Sequence, residues 1–293
     1  MKRKTKESLT GISFVTPSLA LLLVFMLSRI VMVFYYSLTK YNGKASPEFI
    51  GFENYINLFK DPAMGYALRN SLIFTVVTVP ILCVISLCLA AIIAQGFRNR
   101  FGSFVRSSLF IPVICSSTLV ATVWYFMFSS DPHGAVNAIL HIFEIEAVDW
   151  LGKEITALLV ICFVNIWKQT GYYLVIYYAA IMDIPRELFD ASEVDGASKL
   201  QQFRFITLPS LKSITYLVLT LCTIDSFQVF DIAYTMTAGG PGFATTSLVY
   251  RVYVESFKNW KLGYGCAIAC VMLVIIFALS LAQRLLFREK VDE

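Results

Sequence analysis

Charge is what this chain has least of. Only 15% of its 293 residues are Asp, Glu, Lys or Arg, against roughly 25% in a soluble domain. With 57% hydrophobic residues, the composition implies a membrane protein. Histidine is almost missing: His133 and His141 share one connection with no H-E-x-x-H or comparable spacing, so no metal site is read from them. The seven cysteines (Cys83, Cys88, Cys115, Cys162, Cys222, Cys266 and Cys270) are odd in number, lie in apolar runs and include no C-x-x-C pair, which excludes a disulfide or zinc framework. A phosphate-binding G-x-x-x-x-G-K-[ST] is also absent, since GFRNRFGS from residue 96 misses the spacing. No span carries a nucleophile triad. The expectation is a chain that is not an enzyme and binds no metal or cofactor itself. Its net charge of +4 is small, and nucleic acid is not an expected partner.

What the chain has in quantity is apolar length. A helical crossing needs about 20 mostly apolar residues, and six runs supply them: about 12–37, 71–95, 107–128, 156–181, 213–232 and 264–283. With no low-complexity tract and no repeat, residues 1–293 read as a single all-α integral membrane domain of six transmembrane helices. MKRKTK followed by an apolar run imitates a signal peptide, but the run exceeds the roughly 7–15 residues of a signal core and lacks an A-x-A site, so it reads as a retained first span. By loop parity fourteen Lys and Arg, among them Lys2, Arg98, Arg100, Arg186, Arg288 and Lys290, fall on one side and eight on the other, which also holds Glu144, Glu146 and Asp149. The positive-inside rule then places both termini and the loop at about 183–212 in the cytoplasm. Pro80 and Pro112 are expected to kink spans 2 and 3, and Arg29 to snorkel to the interface.

The 183–212 loop is the most polar long stretch. Pro185 pre-sets a helix start, and Ile184, Leu188, Ala191 and Val194 recur at helical spacing opposite Arg186, Glu187, Asp190 and Glu193. Asp195-Gly196 signals a turn before a second short helix bearing Leu200, Phe203 and Phe205, and Pro209 is expected to end it and open span 5. A solvated connecting loop would show the same mixed charge. Length near 30 residues, apolar residues that need a partner, and a glycine turn favour a docking elbow instead.

The segment IPRELFDASEVDGASKLQQFRFITLPSL resembles the EAA signature of the membrane-spanning subunits of bacterial ABC importers: E-A-A, three residues, G, a nine-residue spacer, then I-x-L-P. Asp190-Ala191-Ser192, Gly196 and Ile206-Thr207-Leu208-Pro209 occupy those positions, with Asp for Glu and Ser for the second Ala. NIWKQTGYYLVIYYAAIMDIP before it, FQVFDIAYTMTAGGPGFATTSLVYRVYVESF after it, and GFENYINLFKDP and DPHGAVNAIL in the outer loops resemble the carbohydrate-importer branch. The resemblance implies a MetI-like permease fold in a bacterial cell membrane and half of a translocation pathway. It further implies a second, different permease chain, a cytosolic ATPase dimer that uses ATP and Mg, an extracytoplasmic solute-binding protein and a sugar substrate. It assigns Glu187, Asp190, Ala191, Ser192, Asp195 and Gly196 to coupling, with Gly196 permitting the turn and a close backbone approach.

Polar residues inside spans are expensive and face a bundle interior or cavity. Asn165, Lys168, Gln169 and Tyr172 can share one face of span 4, and span 5 offers Asp225, Ser226, Gln228 and Asp231. Two readings stand: a buried Lys168–Asp225 pair with Asn165 and Gln169 joining helices, or a sugar path through Asn165, Lys168, Gln169, Tyr172, Asp225 and Gln228. Beyond AGGPG, the residues Tyr250, Tyr253, Phe257, Trp260 and Tyr264 form one helical stripe, read as an aromatic belt or a binding-protein contact, with Arg251, Glu255 and Lys258 toward water. The rival functions are an ion-coupled secondary transporter, an ABC permease for a glycerol-phosphate ester, and a membrane enzyme.

Overall fold

The computed structural model describes residues 2–97, 99–131 and 134–287; Arg98, His133, Arg288 and Lys290 lie outside them. In chain order come α1 (Lys2–Leu22), a π turn (Leu23–Leu27), α2 (Ser28–Ser37), β1 (Thr39–Lys40), β2 (Glu48–Phe49), α3 (Glu53–Lys60), α4 (Pro62–Gly96), α5 (Arg100–Ile114), α6 (Ser117–Met127), α7 (Ala135–Ile142) and α8 (Glu154–Met182). Then follow α9 (Arg186–Val194), α10 (Lys199–Gln202), a π turn (Phe203–Thr207), α11 (Leu208–Ser210), α12 (Lys212–Phe227), α13 (Asp231–Thr237), α14 (Leu248–Tyr253), a π turn (Val254–Lys258) and α15 (Leu262–Phe287). The antiparallel β1–β2 ribbon pairs Thr39 with Phe49, a small departure from an all-α chain. His141 lies in α7, within its connection.

Among the described residues five helical stretches are long and apolar enough to cross a bilayer, Ile12–Ser37, Pro62–Gly96, Glu154–Met182, Lys212–Thr237 and Leu262–Phe287, and α5 with α6 makes a sixth if counted as one. The third predicted span, 107–128, is not one straight or kinked helix. α5 and α6 meet at 98°, and the break falls not at Pro112, which stays inside α5, but at Cys115 (ψ 142°) and Ser116 (ψ 134°), both extended. The fifth span is interrupted as well, α12 ending at Phe227 and α13 starting at Asp231. α4 runs unbroken through Pro80 for 35 residues, roughly 52 Å at 1.5 Å per residue. Pro209 does not end the elbow either: the Leu208 N–H reaches back five residues to the Phe203 carbonyl. This wider π turn makes room for a proline ring that would crowd a regular α register, and the break comes at Leu211 (ψ 6°).

The chain divides into two compact units, residues 1–61 with 251–273, and residues 62–250 with 274–293. The second holds both candidate sites. Its core is Leu82 and Cys83 of α4, Tyr173, Leu174 and Tyr177 of α8, and Val218 and Cys222 of α12. A second cluster joins Phe74 of α4, Val120 and Ala121 of α6, Ile161 and Val164 of α8, and Ile232 and Met236 of α13. Hydroxyls cross-link these helices: Thr78 Oγ1 and Ser226 Oγ are 3.0 Å apart, and Ser86 Oγ donates to the Thr170 carbonyl at 3.2 Å, the polar joints expected where apolar attraction between helices is weak. At Gly171 a Cβ would run into the Leu109 carbonyl and the Phe110 backbone. The α5–α8 contact therefore depends on the missing side chain. Gly171→Ala is expected to cost about 1–3 kcal/mol by overpacking, read as a lowered apparent Tm of the detergent-solubilised protein.

Candidate functional site

The elbow is built to hold its shape. α9 closes in a Schellman arrangement, the Gly196 N–H donating to the Glu193 carbonyl (3.1 Å) and the Ala197 N–H to the Ser192 carbonyl (2.9 Å), with Gly196 at φ +77°. α10 opens with a capping box: the Gln201 N–H donates to Ser198 Oγ (3.4 Å) and the Ser198 N–H to Gln201 Oε1 (2.7 Å). Across the turn Gln202, 2% exposed, donates from Nε2 to Ser192 Oγ (2.9 Å) and to the Phe189 carbonyl (3.4 Å). Ser192 Oγ itself donates to Phe189 (2.7 Å), so its hydroxyl braces the elbow from within.

Glu187, Asp190, Ala191, Asp195 and Gly196 are exposed, beside uncovered Leu188, Val194 (89% exposed) and Leu200 (75%). No atom lies within 4 Å of a Cβ built on Gly196. Among the described residues the glycine is required by its positive φ, and the close approach expected from the sequence would be one to a partner. On the surface the Lys199 ammonium hydrogen-bonds Glu193 (2.5 Å) and holds that carboxyl below its usual range; exposed to water, such a pair adds little rigidity.

The second site is a cleft of about 210 Å³ lined by Ser117, Asn165, Lys168, Gln169, Asp225 and Gln228 with Val229, Phe230, Asp231 and Ile232. It opens where the fifth span is broken. Five of the six predicted path residues thus meet in one cleft, and Tyr172 does not line it; that side chain is 40% exposed, its ring edge-on to Tyr173 at 5.1 Å. Among the described residues Lys168 and Asp225 form no ion pair, correcting the buried-pair reading. Lys168 Nζ lies 3.4 Å from the Val113 carbonyl, and Asp225 Oδ2 accepts from the Tyr173 hydroxyl at 2.5 Å. The side chains of Asn165, Gln169 and Gln228 make no hydrogen bond within the described residues. Phe230 stacks on Tyr234 with centroids 5.3 Å apart and planes 22° apart, so an aromatic shelf continues from the cleft wall. Ser247 Oγ donates to the Val229 carbonyl (2.8 Å), meeting a backbone need that the helix break created.

Tyr173, Phe230 and Gln202 were not singled out by sequence. Asn165, Gln169 and Tyr173 do stand at successive four-residue steps, a signal for Tyr173; nothing local marks Phe230 or Gln202.

In the first unit the aromatic stripe is not one helix, because the π turn follows α14 and Trp260 takes φ +54°. Arg251 and Glu255 do not face water. Arg251 Nη2 contacts Asp61 Oδ2 (2.7 Å) and Glu255 Oε1 (2.8 Å), with side-chain exposures of 11%, 22% and 6% for Arg251, Asp61 and Glu255.

The family described as "binding-protein-dependent transport system inner membrane component" matches residues 70–291. The probable ABC transporter permease protein YurN of Bacillus subtilis is 34% identical over 284 residues, covering 96% of each chain. The sulfoquinovosyl glycerol transport system permease protein SmoG of Agrobacterium fabrum is 35% identical over 263 residues, 90% of this chain and 83% of its own. Among solved structures, a chain of a bacterial alginate ABC transporter in complex with an alginate pentasaccharide-bound periplasmic protein superposes with a TM-score of 0.86 at 20% identity, over 98% of this chain and 97% of that one.

Proposed function

We propose a sugar-importing role for this chain, which belongs to the binding-protein-dependent transport system inner membrane components and is a multi-pass ABC transporter permease. The family membership supports this reading over an ion-coupled transporter or a membrane enzyme. A saccharide as cargo is supported by the names of relatives such as the sulfoquinovosyl glycerol permease, and above all by the cleft. The amides of Asn165, Gln169 and Gln228, which make no hydrogen bond among the described residues, lie beside the Phe230 ring as the donor–acceptor and stacking surface that hydroxyl-rich rings need.

In this reading the chain forms half of a pathway with a second, different permease. A solute-binding protein delivers the sugar from outside, both termini lie in the cytoplasm, and a cytosolic ATPase dimer grips the elbow. Glu187, Asp190, Ala191, Asp195 and Gly196 take the load, and Ser192 with Gln202 keeps α9 and α10 one rigid body. Closure of the ATPase dimer on ATP can then turn the spans that flank the elbow. The chain itself binds no nucleotide.

The test is uptake by the assembled complex in proteoliposomes, with the saccharide identified on its binding protein. Gln169→Ala with Gln228→Ala is expected to lower uptake at limiting substrate by about tenfold, the loss of two neutral hydrogen bonds at about 0.5–1.5 kcal/mol each, while assembly persists. Undiminished uptake would sink the sugar-path reading.

A further inference from the structure

We infer, on the basis of the sugar-import reading, that the cleft is a charge filter: it admits neutral or ammonium-bearing pyranoses and turns away those carrying a carboxylate, sulfonate or phosphate. Asp225 and Asp231, both exposed, line it from the end of α12 and the first turn of α13. The cation among the described lining residues is Lys168, only 8% exposed, with its Nζ turned to the Val113 carbonyl. One ammonium against two carboxylates leaves the wall with an uncompensated negative charge.

The neutral part of the wall suits a polyol. Asn165 is also 8% exposed and, like Gln169 and Gln228, has no hydrogen-bond partner among the described residues. Each amide offers both a donor and an acceptor, matching a hydroxyl that is both. The Tyr173 hydroxyl holds Asp225 Oδ2, leaving Oδ1 to accept from a sugar hydroxyl or an ammonium. At about 210 Å³ the space is below the roughly 300–1,000 Å³ of drug-sized pockets and suits one ring at a time. An anionic substituent there loses water, meets like charge and finds its one possible counter-ion recessed.

The experiment uses the full permease–ATPase complex in nanodiscs without the binding protein. Methyl glucoside, glucosamine and glucuronate serve as matched probes, with affinities taken from saturation-transfer NMR titrations. Methyl glucoside and glucosamine are expected to bind within about threefold of each other and glucuronate at least about tenfold more weakly, the scale of a like-charge penalty. Asp225→Asn with Asp231→Asn should bring glucuronate within about threefold of methyl glucoside. Asp231→Asn alone, which keeps the Tyr173–Asp225 bond and an N-terminal helix former, should close part of the gap, so a double variant that fails to assemble does not decide the matter. Equal binding of glucuronate and methyl glucoside to the wild-type complex, or a gap that survives both substitutions, overturns the filter and leaves the sugar reading standing. If none of the three probes binds the wild-type complex, the sugar reading falls and takes the filter with it.

Discussion

Gly196→Val uncouples the importer: substrate-stimulated ATP hydrolysis and uptake are expected to fall by about tenfold or more, while Gly196→Asn stays near wild type. The reason is backbone geometry. Gly196 sits at φ +77°, where the two closing bonds of α9 form only if the chain reverses into the left-handed region. A β-branched residue there is a steric outlier costing about 1–3 kcal/mol, enough to favour continuing α9 or reopening the turn, and either change re-aims α10. Asparagine tolerates the left-handed region. A Cβ at 196 meets nothing within 4 Å among the described residues, and asparagine adds a side chain of similar bulk, so an internal clash would show in both variants. The asparagine control also separates strain from contact with a partner: a side chain that blocked docking by bulk would disable both variants. The measurement is ATPase rate and uptake in proteoliposomes with complex assembly checked by size exclusion. Wild-type coupling in the valine variant, with the complex intact, would remove Gly196 from the coupling elbow.

The elbow was the most legible part of the chain because its signals are local. Pro185, the Asp195-Gly196 turn and the alternation of charge with Leu188 and Val194 each act within one helical turn, and α9 and α10 form where those signals stand. Five of the six expected membrane spans were legible for the same reason, since apolar length needs no partner to be read. The misses have a common cause. Cys115-Ser116 carries no proline or glycine, and the Ser116 side chain makes no cap hydrogen bond, yet α5 and α6 part there at 98°, while the proline that looked disruptive is accommodated three residues earlier. Gln228–Phe230 carries no proline or glycine, and its break is stabilised from outside by Ser247. Gln202 looks like a surface residue of a polar loop, and its burial is set by the fold-back of α10 onto Ser192. Asn165, Gln169, Asp225 and Gln228 could be gathered from sequence because polar residues in apolar runs are conspicuous. That Asp225 would hold Tyr173 rather than Lys168 depends on how α8 and α12 rotate against each other, which no spacing rule states.

The amphipathic reading of residues 250–264 fails at Arg251 and Glu255, while Lys258 is exposed as expected, and the failure points to a stability effect in the first unit. Helical periodicity put Arg251 and Glu255 on a water face, but a charged residue can be inside if its partner arrives from elsewhere, and Asp61 does. Arg251 Nη2 lies 2.7 Å from Asp61 Oδ2 and 2.8 Å from Glu255 Oε1. The Tyr264 hydroxyl donates to Asp61 Oδ2 at 3.0 Å and Asn259 Nδ2 to Glu255 Oε2 at 3.1 Å. This network pins the end of α3 to the 251–264 stretch within one unit, and the guanidinium is what allows two carboxylates to be close. Arg251→Ala removes the guanidinium from between the two carboxylates and is expected to destabilise the unit by about 3–5 kcal/mol. The penalty comes from holding two carboxylates close together without the guanidinium rather than from the lost contact, so Arg251→Met with Asp61→Asn and Glu255→Gln should be much less damaging than Arg251→Ala alone. Thermal unfolding of the solubilised complex, followed by the order of the apparent Tm values, checks both. A triple variant that melts below the single one would show that the ion pairs contribute net stability of their own, and an unchanged Tm in Arg251→Ala would mean that water reaches Asp61 and Glu255 readily enough to replace the guanidinium.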